Sequence, residues 1–338
     1  MTAVNLYSDT QTRPSAGMRK AIAEAEVGDE QRKQDPTTKR LQDRVAELLG
    51  QEAGLFLPSG TLCNEIALRL HVGPAGDEVI LDRTAHPIIA EAGGPAALAG
   101  AMIRALEGEG GIFRAEQVRE AIRPLDRYMP RSRLVSVEQT TNMGGGRVWP
   151  LEAIQGVLEV AREHGLRAHM DGARLMNAAV ASGVPAADFA GGFDTAWLDF
   201  SKGLGAPVGA VLCGSAELIE EAWRWKQMMG GSMRQSGILA AACLYALDNN
   251  VERLAEDHEH ARLLAEGLAG LGLDVLQQET NIVIADVEDP QAVIAGMAEQ
   301  GVEISKGGPG RIRCVTHLDV DRAGVERGLE AFRAVLGC

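Results

Sequence analysis

Aromatic residues are scarce, at 4% of 338 positions, so the core must rest on Ala, Leu, Val and Ile. Cysteines are few. Cys63, Cys213, Cys243, Cys314 and Cys338 are odd in number, widely separated and without a C-x-x-C pair. That argues against a disulfide framework and a structural zinc site, and no other metal site can be read from the chain. Most of the five sit in apolar runs and read as small buried hydrophobes. Positive charge is also short: 33 Lys and Arg face 47 Asp and Glu, for a formal net charge of −14. This argues against nucleic acid or an anionic membrane as the main partner. Long apolar runs are missing, and MTAVNLYSDTQTRPS has no signal-peptide core, so a cytoplasmic protein without a membrane span is expected.

What is present is a regular alternation of strand and helix patterns, the mark of α/β architecture. Asp35-Pro36-Thr37 opens an amphipathic helix, TTKRLQDRVAELLG, closed by Gly50. Short apolar segments predict strands at 55–57, 78–82, 133–138, 167–171, 195–200 and 208–214. A helix is predicted over 151–165. Strands buried on both faces and joined through helices imply a largely parallel sheet. After about residue 246 the rhythm changes. A long helix (VERLAEDHEHARLLAEGLAGL) precedes strand candidates LDVLQQ, NIVIADV, GVEIS and RIRCVTH, which read as a smaller α+β domain.

Three motifs carry chemistry. RAHMDGARL places Asp171 at a strand end and Arg174 three residues on. Ligands of open α/β sheets bind beyond the carboxyl ends of strands, where an acid can pair with a protonated ring nitrogen and an Arg with a carboxylate. A turn-capping Asp beside a solvated Arg explains this motif equally simply. DFSKGLGAPVG places Lys202 just after another strand, on a glycine-rich turn where desolvation can make an amine nucleophilic. The order Ser-Lys-Gly excludes a P-loop, and no G-x-G-x-x-G follows a strand. PSGTLCNEIA sets Ser59, Gly60 and Thr61 at a helix N-terminus, a cradle for phosphate or an ordinary cap. An amine, a carboxylate for a pyridinium nitrogen and a phosphate cradle are together the requirements of pyridoxal phosphate.

On these residues the chain resembles the threonine aldolase family of fold type I pyridoxal-phosphate enzymes. The likeness runs almost end to end through LYSDTQTRPSAGM, EAGLFLPSGTLCN, AHPIIAEAGG, GGRVWPLE, AHMDGARLMNA, SKGLGAPVG, GGSMRQSGILAAACLYALDNNV and RIRCVTHLDV. The resemblance implies a large cofactor-binding α/β domain over 14–245, with a mostly parallel, seven-stranded sheet. Residues 1–13 and 246–338 would form a small α+β domain. It further implies a homotetramer, a dimer of dimers with active sites shared across an interface. The activity implied is cleavage of a β-hydroxy-α-amino acid to glycine and an aldehyde.

Residue by residue, the resemblance makes Lys202 the Schiff-base lysine and Asp171 the partner of the ring nitrogen. Ser59, Gly60 and Thr61 match the phosphate turn. His86 matches the histidine that stacks on the ring and acts in proton transfer. Ser8, Arg174 and Arg313 match positions that hold the substrate carboxylate. Lys226 and Arg234 match residues offered to the neighbouring subunit's phosphate region.

Three departures stand out. Arg32 occupies a position where the family commonly has tyrosine, Thr141 replaces a histidine near the substrate side chain, and Tyr7 stands where arginine is usual. A threonine hydroxyl cannot accept a proton near neutral pH as imidazole does, so His86, a water or another group would take that role. A cation at Arg32 would favour an acidic substrate such as 3-hydroxyaspartate, against the simpler reading of a solvated loop residue. The competing readings are β-elimination or transamination on the same fold, and a non-catalytic binding protein that keeps it.

Overall fold

The computed structural model describes residues 4–73 and 75–337, so Cys338 and the first three residues of the expected small domain lie outside the described residues. Its largest sheet has seven strands, in the order Ala53–Leu57, Ala210–Gly214, Thr195–Asp199, Arg167–Asp171, Ser132–Glu138, Glu78–Asp82 and Met102–Leu106. Ala210–Gly214 runs antiparallel to both neighbours, and the remaining pairings are parallel. Glu78–Asp82, Thr195–Asp199 and Ala210–Gly214 are buried at every position. Helices cover both faces of such a sheet, which is why these strands read as continuous apolar runs without alternation.

The helices start and stop where their end chemistry dictates. In Pro36–Leu48, Asp35 Oδ1 accepts from Thr38 N at 2.8 Å, and Leu41 and Val45 turn inward. Ser59 Oγ likewise accepts from Leu62 N at 3.2 Å to cap Gly60–His71. These caps satisfy donors that have no partner within the helix.

A second, smaller sheet pairs Ser305–Gly308, Arg311–Val315 and Ile282–Asp286, all antiparallel. The strand Val4–Asn5 pairs in parallel with Val302–Glu303, bringing the amino-terminal segment to this part of the molecule. A core of Val4, Leu6, Leu264, Leu268, Val283, Ile312 and Phe332 lies here, separate from the core beneath the large sheet.

Three sequence expectations differ from the structure. LDVLQQ forms no strand and contributes one isolated bridge, Val275 to Ala285. GVEIS divides at Ile304: Val302–Glu303 pairs with the amino-terminal strand, and Ser305 onward pairs with Arg311–Val315. The strand Met102–Leu106 went unread, because at the sheet edge Met102, Ile103 and Ala105 are exposed and leave no burial pattern.

Candidate active site

Five segments deliver their side chains to the carboxyl edge of the large sheet. Asp171 and Glu138 end their strands, and Ser59, His86 and Lys202 follow theirs by two to four residues. With Ser8, Gly60, Thr61, Asn142, Arg174, Asp199 and Arg313 they line one cavity of about 350 Å³.

The Lys202 turn is held by Gly205 N to Lys202 O at 2.9 Å and Ala206 N to Phe200 O at 2.9 Å. Gly205 sits at φ +77°, a left-handed conformation that disfavours any side chain. Lys202 Nζ donates to Asp199 and stands 5.7 Å from the centre of the Trp197 ring. Asp171 Oδ2 accepts from Asn64 Nδ2 at 2.8 Å and Oδ1 from Ala173 N at 3.0 Å. Burial raises the Asp171 carboxyl above its ordinary range, although His86, the Asn64 bond and Lys202 oppose the shift.

His86 Nδ1 lies 2.7 Å from Glu91 Oε1. Burial disfavours its charged form, but the bond to Glu91 and the nearby Asp171 and Glu138 outweigh this and raise the ring above its ordinary value. Glu138 is buried, and that burial together with Asp171 pushes it up to about 8.

Two arginines face the cavity in different states. Arg174 is committed: its Nε and Nη2 reach Asp9 at 2.8 and 2.7 Å, a two-pronged buried ion pair. Arg313 is not. Its Nη2 donates to Asn142 Oδ1 at 2.9 Å, its Nε has no partner, and among the described residues it joins no ion pair. Burial and the neighbouring Arg174 pull its guanidinium down to about 10. A buried cation without a counter-charge is costly and marks a receptor for an incoming carboxylate.

The cavity thus gathers Ser8, Ser59, Gly60, Thr61, His86, Asp171, Arg174, Lys202 and Arg313, while Arg32, Thr141, Lys226 and Arg234 do not line it. Lys226 is a correction. Its Nζ is fully buried within its own chain, 2.8 Å from Glu30 Oε1 and 2.7 Å from Phe56 O, and cannot be offered to a neighbour. Thr141 is likewise turned away, buried against Gly111 and Gly144. Arg32 is exposed at the end of the 3-10 turn Glu30–Arg32, and Arg234 is exposed with Asp29 3.5 Å away. Sequence reasoning missed Asp9, Asn64, Glu91, Glu138, Asn142 and Asp199. Glu138, Asp171 and Asp199 end neighbouring strands in the same way, which was a readable signal for Glu138 and Asp199. The others had none.

The residues present fit pyridoxal phosphate. Gly60 and Thr61 precede the first bond of their helix, Cys63 N to Ser59 O, so their N–H groups are available to a phosphate. A Cβ on Gly60 would come within 2.3 Å of the Trp197 ring, so only glycine lets this cradle sit against the cavity floor.

A family model described as beta-eliminating lyase matches residues 5–290. The low-specificity L-threonine aldolase of Escherichia coli K12 is 41% identical, over 98% of this chain and 99% of its own. Low-specificity L-threonine aldolase 1 of Arabidopsis thaliana is 39% identical over 99% and 97%. Among solved structures, a threonine aldolase from Leishmania major superposes with a TM-score of 0.85 at 22% identity, covering 98% of this chain and 99% of that one. An aspartate aminotransferase variant from Thermus thermophilus gives 0.76 at 17% identity, covering 99% and 92%. Both share the fold type I architecture.

Proposed function

The chain belongs to the beta-eliminating lyase family, and from that premise we infer that it is a pyridoxal-phosphate-dependent threonine aldolase. It cleaves a β-hydroxy-α-amino acid, threonine or a relative such as allo-threonine or phenylserine, to glycine and an aldehyde. One observation carries the reading: Lys202, Asp171 and a guanidinium without a carboxylate partner open into the same cavity.

When bound, pyridoxal phosphate supplies an aldehyde carbon for amines and a ring that takes up the electron pair of a broken Cα bond. The residues do the rest. Gly60 and Thr61 N–H groups and the Ser59 and Thr61 hydroxyls would hold the phosphate. Asp171 would hold a proton at the ring nitrogen. Lys202 is the amine placed to bond the aldehyde and to give way to the substrate's own amine. Arg313, with Ser8 beside it, would bind the substrate carboxylate and so decide which Cα bond lies across the ring. With His86 Nδ1 set 2.7 Å from Glu91 Oε1, Nε2 is the ring atom that would accept the β-hydroxyl proton, directly or through a water.

Three further readings are ours. The subunit comprises two domains, 14–245 and 1–13 with 246–338, a division supported by the two separate cores. Four subunits assemble as a dimer of dimers, a reading supported by the phosphate cradle, where the described lining residues supply no lysine or arginine besides Lys202, Arg174 and Arg313. The enzyme works in the cytoplasm, which its buried free thiols Cys63, Cys213, Cys243 and Cys314 favour.

Lys202→Ala tests the core of this reading. Purified wild-type protein should be yellow and release glycine and an aldehyde in equal amounts from threonine. The variant should lose both properties. Turnover that survives the substitution, or a keto acid and ammonia as products, would sink it.

A further inference from the structure

Behind Asp171 lies a row of buried polar groups that the chemistry above does not use. Asn64, on the helix Gly60–His71, is 1% exposed and makes four side-chain hydrogen bonds. Its Nδ2 donates to Asp171 Oδ2 and to Glu91 Oε1, both at 2.8 Å. Its Oδ1 accepts from Trp197 Nε1 at 2.8 Å and from His169 Nε2 at 3.2 Å. The neighbours allow no other orientation of the amide, because ionised carboxylates only accept and an indole N–H only donates.

That orientation propagates outward. Asn64 Oδ1 requires a donor, so His169 carries its single proton on Nε2. Its Nδ1, 2.8 Å from Thr195 Oγ1, is then an acceptor, and the Thr195 hydroxyl must donate to it. The same hydroxyl oxygen accepts from His71 Nε2 at 2.9 Å. Burial keeps both rings neutral, lowering His169 to about 3 and His71 to about 4. Every dipole therefore points the same way, from His71 at the end of its helix toward Asp171 and Glu91. In a low-dielectric interior such bonds polarise and strengthen one another.

We propose that Asn64, oriented through His169, Thr195 and His71, is a positioning residue that keeps Asp171 an ionised partner for the cofactor's ring nitrogen and couples it to the Glu91–His86 pair. The proposal rests on the cofactor reading above. Asp171 and Glu91 repel each other's negative charge, and one shared NH2 group offsets that repulsion at both. It also fixes the Asp171 carboxylate in place before any ligand arrives.

The test compares two ligands on the apoprotein: pyridoxal phosphate, and the analogue in which C–H replaces the ring nitrogen. Asn64→Leu should weaken pyridoxal phosphate about tenfold or more, the loss expected for a hydrogen bond to a charged group, and leave the analogue within about twofold. Thr195→Val, close in shape and at the far end of the row, should shift the same ratio in the same direction by about threefold. It decides the matter alone should Asn64→Leu fail to fold. Equal losses for both ligands, or an unchanged ratio in Thr195→Val, would assign these residues to packing and overturn the proposal. A wild-type protein that binds neither ligand would remove the cofactor reading and the positioning role with it.

Discussion

Arg313 reaches the cavity from the strand Arg311–Val315 with its Nε unpartnered, and only the family resemblance, not its own sequence context, singled it out. Its value to the reaction lies in a fork that lysine cannot reproduce. Arg313→Lys should raise KM for threonine by about tenfold to a hundredfold, the range for a lost charge-assisted bond, as steady-state glycine release would show. Glu65 makes a second prediction at this scale. Burial and the adjacent Glu91 push it up to about 8. An unfolded glutamate titrates near ~4.3, so between these values the folded state holds an extra proton and stability declines as pH rises. Glu65→Gln removes that dependence. The variant should melt higher than wild type at pH 8 and close to it at pH 5, by calorimetry across the pH range.

The helix Ala216–Met228 shows how far a charged residue can mislead at the level of an element. Lys226, in WKQMMGGSMRQSG, reads as a cation free to reach outward. Yet it packs against the Trp223 ring and bonds Glu30, whose own Oε1 also accepts from Met233 N. Burial lowers its affinity for a proton, and Glu30 opposes that shift. The pair joins this helix to the loop before Pro36–Leu48 and to the strand Ala53–Leu57. Lys226→Met should destabilise the fold by about 3–5 kcal/mol, because it strands a buried carboxylate. Adding Glu30→Gln should restore much of the loss, which denaturant titration of both variants would measure.

Across the whole molecule, Asp9 ties three regions together. It receives Arg174 from the turn after Arg167–Asp171 and Asn281 Nδ2, at 3.0 Å, from just before the small-sheet strand Ile282–Asp286. Burial opposes its charge, but Arg174 prevails and holds the carboxyl well below the usual range. Its stabilisation is therefore present above the unfolded value of about 3.9 and is lost as pH falls further. Asp9→Asn should cost about 3–5 kcal/mol near neutral pH. Thermal unfolding should show the gap to wild type closing below about pH 4.

Most of the order of strands and helices, the cradle at Ser59–Thr61 and the strand-end places of Asp171 and Lys202 were legible in the chain. Local rules set them: burial patterns, capping residues, and glycines where the backbone turns. Which cation stays free was not legible, since Arg174, Lys226 and Arg313 differ only in the carboxylates that distant segments bring to them. Asp9, Glu30 and Asn64 had no signature for the same reason. Their roles arise from contacts across 165, 196 and 107 positions of chain, and only packing in three dimensions creates those.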